Sequence, residues 1–465
     1  MTNKINESSG QGKFDLLRET YPFLEYIGYE AIVDQNGLHV SYEFNLAGKY
    51  IFRPGFKIPR KAFFLNFPTD ETLKTPLFDN LLFHIGLIEL ISYWKAACPL
   101  QVIVKGHKLT EEQVLFWKTI YYQGLGEFFY TNKISTSIDS FMEITSEGDQ
   151  TTVQSIHLDE TVIVPIGGGK DSVVTLEMLA EIADIRPFIM NPRGATLECA
   201  RVAGYGNDEF LEVNRRIDPL LLELNANGFL NGHTPFSAML AFYSLLVSAI
   251  SGHRHIALSN ESSANEPTVA GTDINHQYSK SFAFESDFRS YVKEYISGDF
   301  NYFSFLRPLN ELQIARLFSR QEKYFPVFKS CNAGSKTDVW CCNCPKCLFA
   351  FTILSPFIPM NELTRIFGKN IFELPQMLTF LKELTGIAEV KPFECVGTID
   401  EVNVALQLVI AQSNEKKLPL LLEYYSNSGA SNSSDLVLPN KVLNEFNDSH
   451  FLEDNFLEIL KQKLK

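Results

Sequence analysis

No stretch of this chain offers the ~20 uninterrupted apolar residues that a membrane-spanning helix needs. The strongest apolar runs are Leu81–Trp94, broken by His84 and Glu89, then Ala238–Ile250, and Leu348–Met360, broken by two prolines. Positive charge is also short: 41 Lys and Arg face 55 Asp and Glu, for a net charge of −14. That weighs against a nucleic-acid partner, which needs a basic surface for phosphate, although a local basic groove can sit on an acidic protein. The polar segment Met1–Lys13 has no apolar core of the kind a secretory signal carries. The expectation is a cytoplasmic protein without a membrane partner. A disulfide framework is missing as well. Of eight cysteines, five crowd into residues 331–347, a layout suited to a metal rather than to spread bridges.

What is present is ample apolar material, 45% of 465 residues, enough for two or three domains with cores of their own. Residues 1–150 read as an α+β domain. Strands are expected at Gly37–Tyr42, Tyr50–Phe52, Ala62–Asn66 and Leu100–Val104. Helices are expected at Phe78–Ala97 and Glu111–Gln123, the second capped by Thr110. Residues 151–330 alternate strand and helix: Thr161–Pro165, then Val173–Ile182, then Ile185–Met190. A buried helix Thr234–Ile250 with Thr234 as N-cap and Pro235 at its first position follows, then a strand His255–Ser259. That order predicts an α/β class with a parallel sheet and helices on both faces. Residues 348–465 read as mainly helical (Glu362–Phe367, Phe372–Leu384, Ile399–Ala411), with a Ser/Asn/Gly-rich loop at Ser426–Ser434 and no internal repeat.

The chemistry concentrates first in Ile163-Val164-Pro165-Ile166-Gly167-Gly168-Gly169-Lys170-Asp171-Ser172. An apolar strand runs into three glycines, which let backbone N–H groups approach an anion, and a helix start adds unpaired donors and a positive dipole end. Ser172 offers one more hydrogen bond and Lys170 a charge. Asp171 would repel phosphate unless Mg²⁺ lay between them. A bare strand-to-helix turn is the plainer alternative. The segment is no Walker A loop, because Asp171 follows Lys170 where Ser or Thr is required, and Val164 stands where the upstream glycine should be.

The second concentration is Cys331, Cys341, Cys344 and Cys347, in C-x9-C-x2-C-x2-C spacing. Two-residue gaps let successive thiolates turn to one ion, and a distant fourth closes a tetrahedron, so Zn²⁺ here would be structural. Cys342 is the spare, able to exchange roles with Cys341. Reduced buried cysteines, or a redox pair, are the alternatives.

Gly167–Ser172 resembles the PP-loop of the ATP pyrophosphatase superfamily, Ser-Gly-Gly-x-Asp-Ser, with Gly167 in place of the first serine. The resemblance implies an adenine nucleotide alpha hydrolase-like sheet and cleavage of ATP to AMP and pyrophosphate. It also implies that adenine lies near Met190 and Asn191. The cysteine spacing is similar to that of the PP-loop enzyme making 7-cyano-7-deazaguanine, where it holds zinc. That family has about half this length.

Further segments resemble one larger PP-loop family, the UDP-N-acetylmuramoyl-L-alanyl-L-glutamate epimerases of peptidoglycan synthesis. These are Ile88–Ala97 with Ser92-Tyr93-Trp94-Lys95, Asn231–Ser237, Ser259–Glu266, Trp340–Phe349, and Lys391–Glu401 with Pro392-Phe393-Glu394-Cys395-Val396-Gly397. The resemblance implies adenylation of the terminal glutamate's α-carboxylate, which makes Cα–H acidic enough for a base to remove. The partner would be a small molecule, a UDP-MurNAc dipeptide. Candidates for proton transfer are His233, Glu261, His276, Glu394 and Cys395, with Lys170 and Asp171 serving adenylation. Glu261 and Glu266 follow a predicted strand, where open α/β sheets bind ligands. Arg193, Arg201, Arg254, Lys280, Arg289 and Arg307 are the cations available to an anionic substrate. Residues 1–150, through Ser92–Lys95, are expected to help bind the nucleotide sugar. The competing expectations are a PP-loop amide- or nitrile-forming ligase, a tRNA-modifying enzyme and a non-catalytic nucleotide-binding protein. No segment resembles a glutaminase, and the charge opposes the tRNA.

Overall fold

A computed structural model of the chain describes residues 9–64, 67–269, 271–334, 337–413, 417–428 and 437–464. The protein is mixed α/β and divides into two compact units, both discontinuous in sequence. The first comprises residues 1–160, 211–256 and 283–301, the second residues 161–210, 257–282 and 302–465.

In the first unit the strands run in the order Leu211–Arg216, Gly55–Pro59, Gly37–Leu46, Phe23–Asp34, Gln101–Val104, Glu143–Ser146. The hairpin of Phe23–Asp34 on Gly37–Leu46 is antiparallel, whereas Gln101–Val104 joins in parallel. The strand Gly37–Leu46 alternates buried and half-buried residues, as a sheet with one face on a core requires. The helix Pro76–Ala97 starts with proline at its first turn and ends where Cys98 turns left-handed, φ 49°. It is buried on every side, so its polar residues must find partners inside the unit. Glu89 does so with Arg215 (2.5 and 2.7 Å) and the Tyr243 hydroxyl (2.8 Å).

His84 is another. The Asn80 carbonyl, 2.8 Å from Nδ1, can only accept, so Nδ1 carries the proton and Nε2 accepts from the Tyr291 hydroxyl at 2.8 Å. Burial lowers the imidazole to about 4. The unfolded chain therefore binds a proton between about pH 6.5 and 4 that the folded one refuses, and stability is lost as pH falls through that window. At pH 5 the loss is about 2 kcal/mol relative to pH 7. Urea titrations at both pH values should show that difference shrink by about this amount in His84→Asn. An unchanged pH dependence would contradict the assignment.

The second unit pairs Asp159–Pro165 in parallel with Ile185–Met190, Val162 opposite Ile185 and Pro165 opposite Phe188. Of the strands His253–Leu258 and Asn301–Ser304, residues 257–258 and 302–304 belong to this unit. Its core joins Val162, Val164, Val173 and Leu176 to Leu312 and Ala315, and runs on through the helices Pro345–Leu354 and Ile399–Gln412.

Several expectations need correction. Pro59 closes its strand, and Ala62 and Phe63 form a turn rather than a strand, with Phe64 N–H on the Lys61 carbonyl at 3.2 Å; residues 65 and 66 lie outside the described residues. The loop helix begins at Lys170, not Val173, and ends at Leu179. Thr234 does not cap: the helix is Phe236–Ser251 with Pro235 as N-cap, and the Thr234 hydroxyl accepts from Lys95 at 2.5 Å. Phe372–Leu384 is interrupted by Pro375, which lacks an N–H, and only Leu378–Leu384 is α-helical. Ser426 and Asn427 finish a helix, and residues 429–434 of the expected loop lie outside the described residues.

Candidate functional site

The glycine loop follows directly from the strand ending at Pro165. Gly168 has φ +80°, and a Cβ there would stand 2.9 Å from Ala195. Gly169 is the N-cap of Lys170–Leu179 and supplies no capping side chain. Gly167 is exposed, and a Cβ built on it meets nothing within 4 Å. The loop is thus braced on one side and open on the other. Ser172 donates to the Gly169 carbonyl at 3.1 Å. Beyond the second strand, Met190 is half-buried and Asn191 exposed with φ 53°, a left-handed conformation that asparagine tolerates better than most residues.

Lys170 is buried, and its ammonium binds both Asp171 and Glu311. Burial works against that charge, but the two carboxylates outweigh it and hold its pKa above the ordinary lysine value. Glu311 opens the helix Glu311–Phe318, capped by Asn310 and Gln313. It is a site residue that sequence reasoning missed, although Asn310-x-x-Gln313 is a capping-box pattern.

Glu261, 2% exposed, lies in the loop after His253–Leu258. Burial raises its carboxyl above the ordinary range, with Asp171 adding to the rise and Lys280, Lys170 and Arg307 opposing it. Arg307, wholly buried, donates to the carbonyls of Glu261 (2.7 Å) and Lys280 (2.5 Å), fixing both loops. Lys280 loses to burial and gains more from Cys395, Glu261, Asp171 and Glu311, so it stays charged. At Cys395 burial would raise the thiol, but Lys280, Lys346 and His276 more than offset it and hold its pKa well below the ordinary thiol value. The balance favours the thiolate form over the thiol. Glu394 is raised chiefly by burial and accepts from Asn332.

Lys170, Asp171, Glu261, His276, Glu394 and Cys395 therefore belong to one electrostatic neighbourhood, joined through Lys280. Opposed buried charges at this density contribute little net stability and are typical of working sites. His233 belongs to the first unit, where its ring meets Glu127 at 3.4 Å. Ser92–Lys95 also lie there and face inward. Tyr93 accepts the Asp218 N–H at 3.0 Å, Trp94 donates to the Pro99 carbonyl at 2.9 Å, and Lys95 binds Gly232 and Thr234. These side chains brace their own unit. Among the other expected cations, Arg201 pairs with Glu198, Arg254 with Glu160, and Arg289 with Asn301.

The sulfurs of Cys331, Cys341, Cys344 and Cys347 all lie within 4.8 Å of one another. Cys331 to Cys344 is 3.9 Å and Cys341 to Cys347 is 3.7 Å. A tetrahedral ion with bonds of about 2.3 Å sets sulfurs about 3.8 Å apart, so the set fits Zn²⁺. Gly334 N–H points at Cys331 sulfur (3.1 Å) and Asn343 N–H at Cys341 sulfur (3.4 Å), as donors do around thiolates. Cys342 has φ 49° and turns away, its sulfur 3.3 Å from the Phe367 carbonyl. Cys341, not Cys342, completes the set. Metal analysis should find about one zinc per chain in Cys342→Ser and well under half that in Cys344→Ser. Equal loss in both would exclude this ligand set.

The cysteine segment also steadies the glycine loop. Lys329 N–H donates to the Gly168 carbonyl at 2.8 Å, and a Cβ on Gly169 would meet the Ser330 hydroxyl at 3.0 Å. Asp338 accepts the Ala195 N–H at 2.8 Å, at the start of the helix Gly194–Val202.

Residues 17–305 match the family model of the MurL N-terminal domain, and residues 327–436 that of the MurL C-terminal domain. A protein of Salinispora tropica named UDP-N-acetyl-alpha-D-muramoyl-L-alanyl-L-glutamate epimerase is 37% identical over 362 residues, covering 76% of this chain and 78% of that protein. Proteins of the same name from a Micromonospora species and from Xanthomonas oryzae pv. oryzae are 34% and 33% identical, over 76% and 72% of this chain and 79% and 75% of their own lengths. Matched by both domain models and alike over about three quarters of each of these relatives, the chain belongs to the MurL family.

Proposed function

We propose that this protein is an ATP-dependent epimerase that converts the terminal L-Glu of UDP-MurNAc-L-Ala-L-Glu to D-Glu through an acyl adenylate. What supports the substrate is the shared name of the three relatives. What supports the mechanism is one observation above all: a glycine loop open on one side leads straight into Lys170-Asp171-Ser172, in one electrostatic neighbourhood with Glu261, Glu311 and the half-buried Cys395, whose thiol pKa is lowered. The sheet of the second unit is, on this proposal, of the PP-loop type.

In the forward direction an α-carboxylate oxygen attacks the α-phosphorus of ATP, and pyrophosphate leaves. The backbone donors of Gly167–Ser172 receive phosphate charge, and adenine lies by Met190 and Asn191. Asp171 would hold Mg²⁺, which neutralises pyrophosphate charge when bound. With the carboxylate masked as a mixed anhydride, removal of the Cα proton no longer piles a second charge on an anion. Cys395, held as thiolate by Lys280, takes that proton from one face. A second acid, Glu261 or His276, returns a proton to the other face, and water then releases the D-glutamyl product and AMP. Zn²⁺ on four cysteines has no open position and serves structure alone.

The test is incubation with ATP, Mg²⁺ and the L,L-substrate in deuterated water. AMP release together with deuterated D-glutamate in the product is the expected outcome. AMP without deuterium or inversion would sink the epimerase and leave adenylation, whereas no AMP above a no-enzyme control would remove the proposal.

A further inference from the structure

We infer that Glu401 is a positioning residue for proton transfer at Cα, one carboxylate that keeps the Glu261 loop, the Glu311 helix start and the Cys395 segment in register. The inference rests on the epimerase reading above. Glu401 is the third residue of the helix Ile399–Gln412 and closes a capping box with Thr398. In an exposed helix such a glutamate would face water, but here it is 3% exposed. Its Oε2 accepts the Thr398 N–H at 3.0 Å. Its Oε1 accepts the Ser263 hydroxyl at 2.5 Å and the Glu311 N–H at 3.4 Å, and Ser263 Oγ accepts the same N–H at 3.3 Å.

Each partner stands next to a group the reaction uses. Ser263 is two residues beyond Glu261, Glu311 pairs through its own side chain with Lys170, and Thr398 is three residues beyond Cys395. The approach is close at Gly397, where a Cβ would fall 2.1 Å from Glu401 Oε2 and 3.2 Å from Glu311 Cβ, so a side chain there would push the Glu401 carboxylate aside. At the far end of the segment, Lys391 binds Glu266 and the Gly397 carbonyl (2.9 Å), so the stretch bearing Cys395 is pinned twice against one loop. Burial raises the Glu401 carboxyl to about 7, Ser263, Thr398 and Lys391 oppose the rise, and Glu261 adds to it. A displacement of about 1 Å in a reacting group can cost roughly a hundredfold in rate.

The experiment compares wild type, Glu401→Ala, Glu401→Gln and Ser263→Ala in three readouts. These are deuterium uptake at Cα with ATP and the L,L-substrate, KM for ATP in pyrophosphate exchange, and thermal midpoint. Glu401→Ala is expected to lower uptake roughly a hundredfold while KM for ATP changes by less than about threefold. Glu401→Gln, which keeps the capping acceptor, should recover uptake to within about fivefold of wild type. Ser263→Ala should lower uptake in the same direction by about tenfold, and it tests the joint even where Glu401→Ala does not fold. Unchanged uptake in both alanine variants overturns the inference. So does a loss shared in proportion by uptake, ATP affinity and thermal midpoint with no rescue by glutamine, since that marks a purely structural residue. Absence of uptake by the wild type would instead remove the epimerase reading, and the inference with it.

Discussion

Asp171→Asn should lower ATP-dependent AMP release roughly 10²–10³-fold, with the fold and zinc content retained. Several groups on this loop are open to substitution, and the choice among them is decided by burial. Lys170→Ala would leave Glu311, 5% exposed, without its cation, and breaking a buried pair in this way costs about 3–5 kcal/mol of stability. Lost activity in that variant would say nothing about chemistry. Asp171 is 30% exposed, asparagine keeps its shape, and Lys170 retains Glu311 as a partner. What disappears is the negative charge that would hold a divalent ion against pyrophosphate. The measurement is AMP by chromatography at saturating ATP across a Mg²⁺ series. Release within threefold of wild type at every Mg²⁺ concentration would take Asp171 out of the mechanism.

Cys395→Ser should abolish deuterium uptake at Cα, by at least about 10²-fold, while ATP–pyrophosphate exchange survives. Serine preserves the size of the side chain but not its acidity, so the comparison isolates the thiolate. Lys280 loses one of the partners that keep it charged but retains Glu261, Asp171 and Glu311. The sign of the pH dependence follows from the depressed thiol pKa. The thiolate is present above that pKa and disappears as pH falls through it, so wild-type uptake should decline on the acid side of a midpoint lying below the ordinary thiol range. Uptake by Cys395→Ser equal to wild type would pass the proton to Glu261 or His276.

The two local concentrations of chemistry were legible because each is complete within a short stretch. Gly167–Ser172 needs only a strand, a turn and a helix start in sequence, and backbone donors at such a junction do not depend on the rest of the fold. The cysteine set needs only spacing. Its one ambiguity, Cys341 against Cys342, was settled by a left-handed backbone at Cys342 that sends neighbouring side chains in opposite directions. The strand Ile185–Met190 and the helix opening at Ile399 were legible from pattern, and both are present.

Ser92–Lys95 shows the limit of pattern. Ser92, Tyr93 and Lys95 within four residues invite assignment to a ligand, but the helix that carries them is buried on all sides and the polar atoms of Tyr93 and Lys95 close contacts within the first unit. Glu311 shows the converse. It sat in a segment with no flagged motif, yet it is the partner of Lys170, 141 residues away in sequence. Lys280 was one cation among six until its surroundings set it beside Cys395 and Glu261.

The sequence by itself determined which backbone can cradle an anion and which thiols can share an ion, because those properties arise from neighbours in the chain. Only the tertiary structure decided which carboxylates face Lys170, which charges lower the Cys395 thiol and which side chains are sealed inside. Those depend on desolvation and on charges brought close from distant segments, and Coulomb energy follows distance in space rather than separation along the chain.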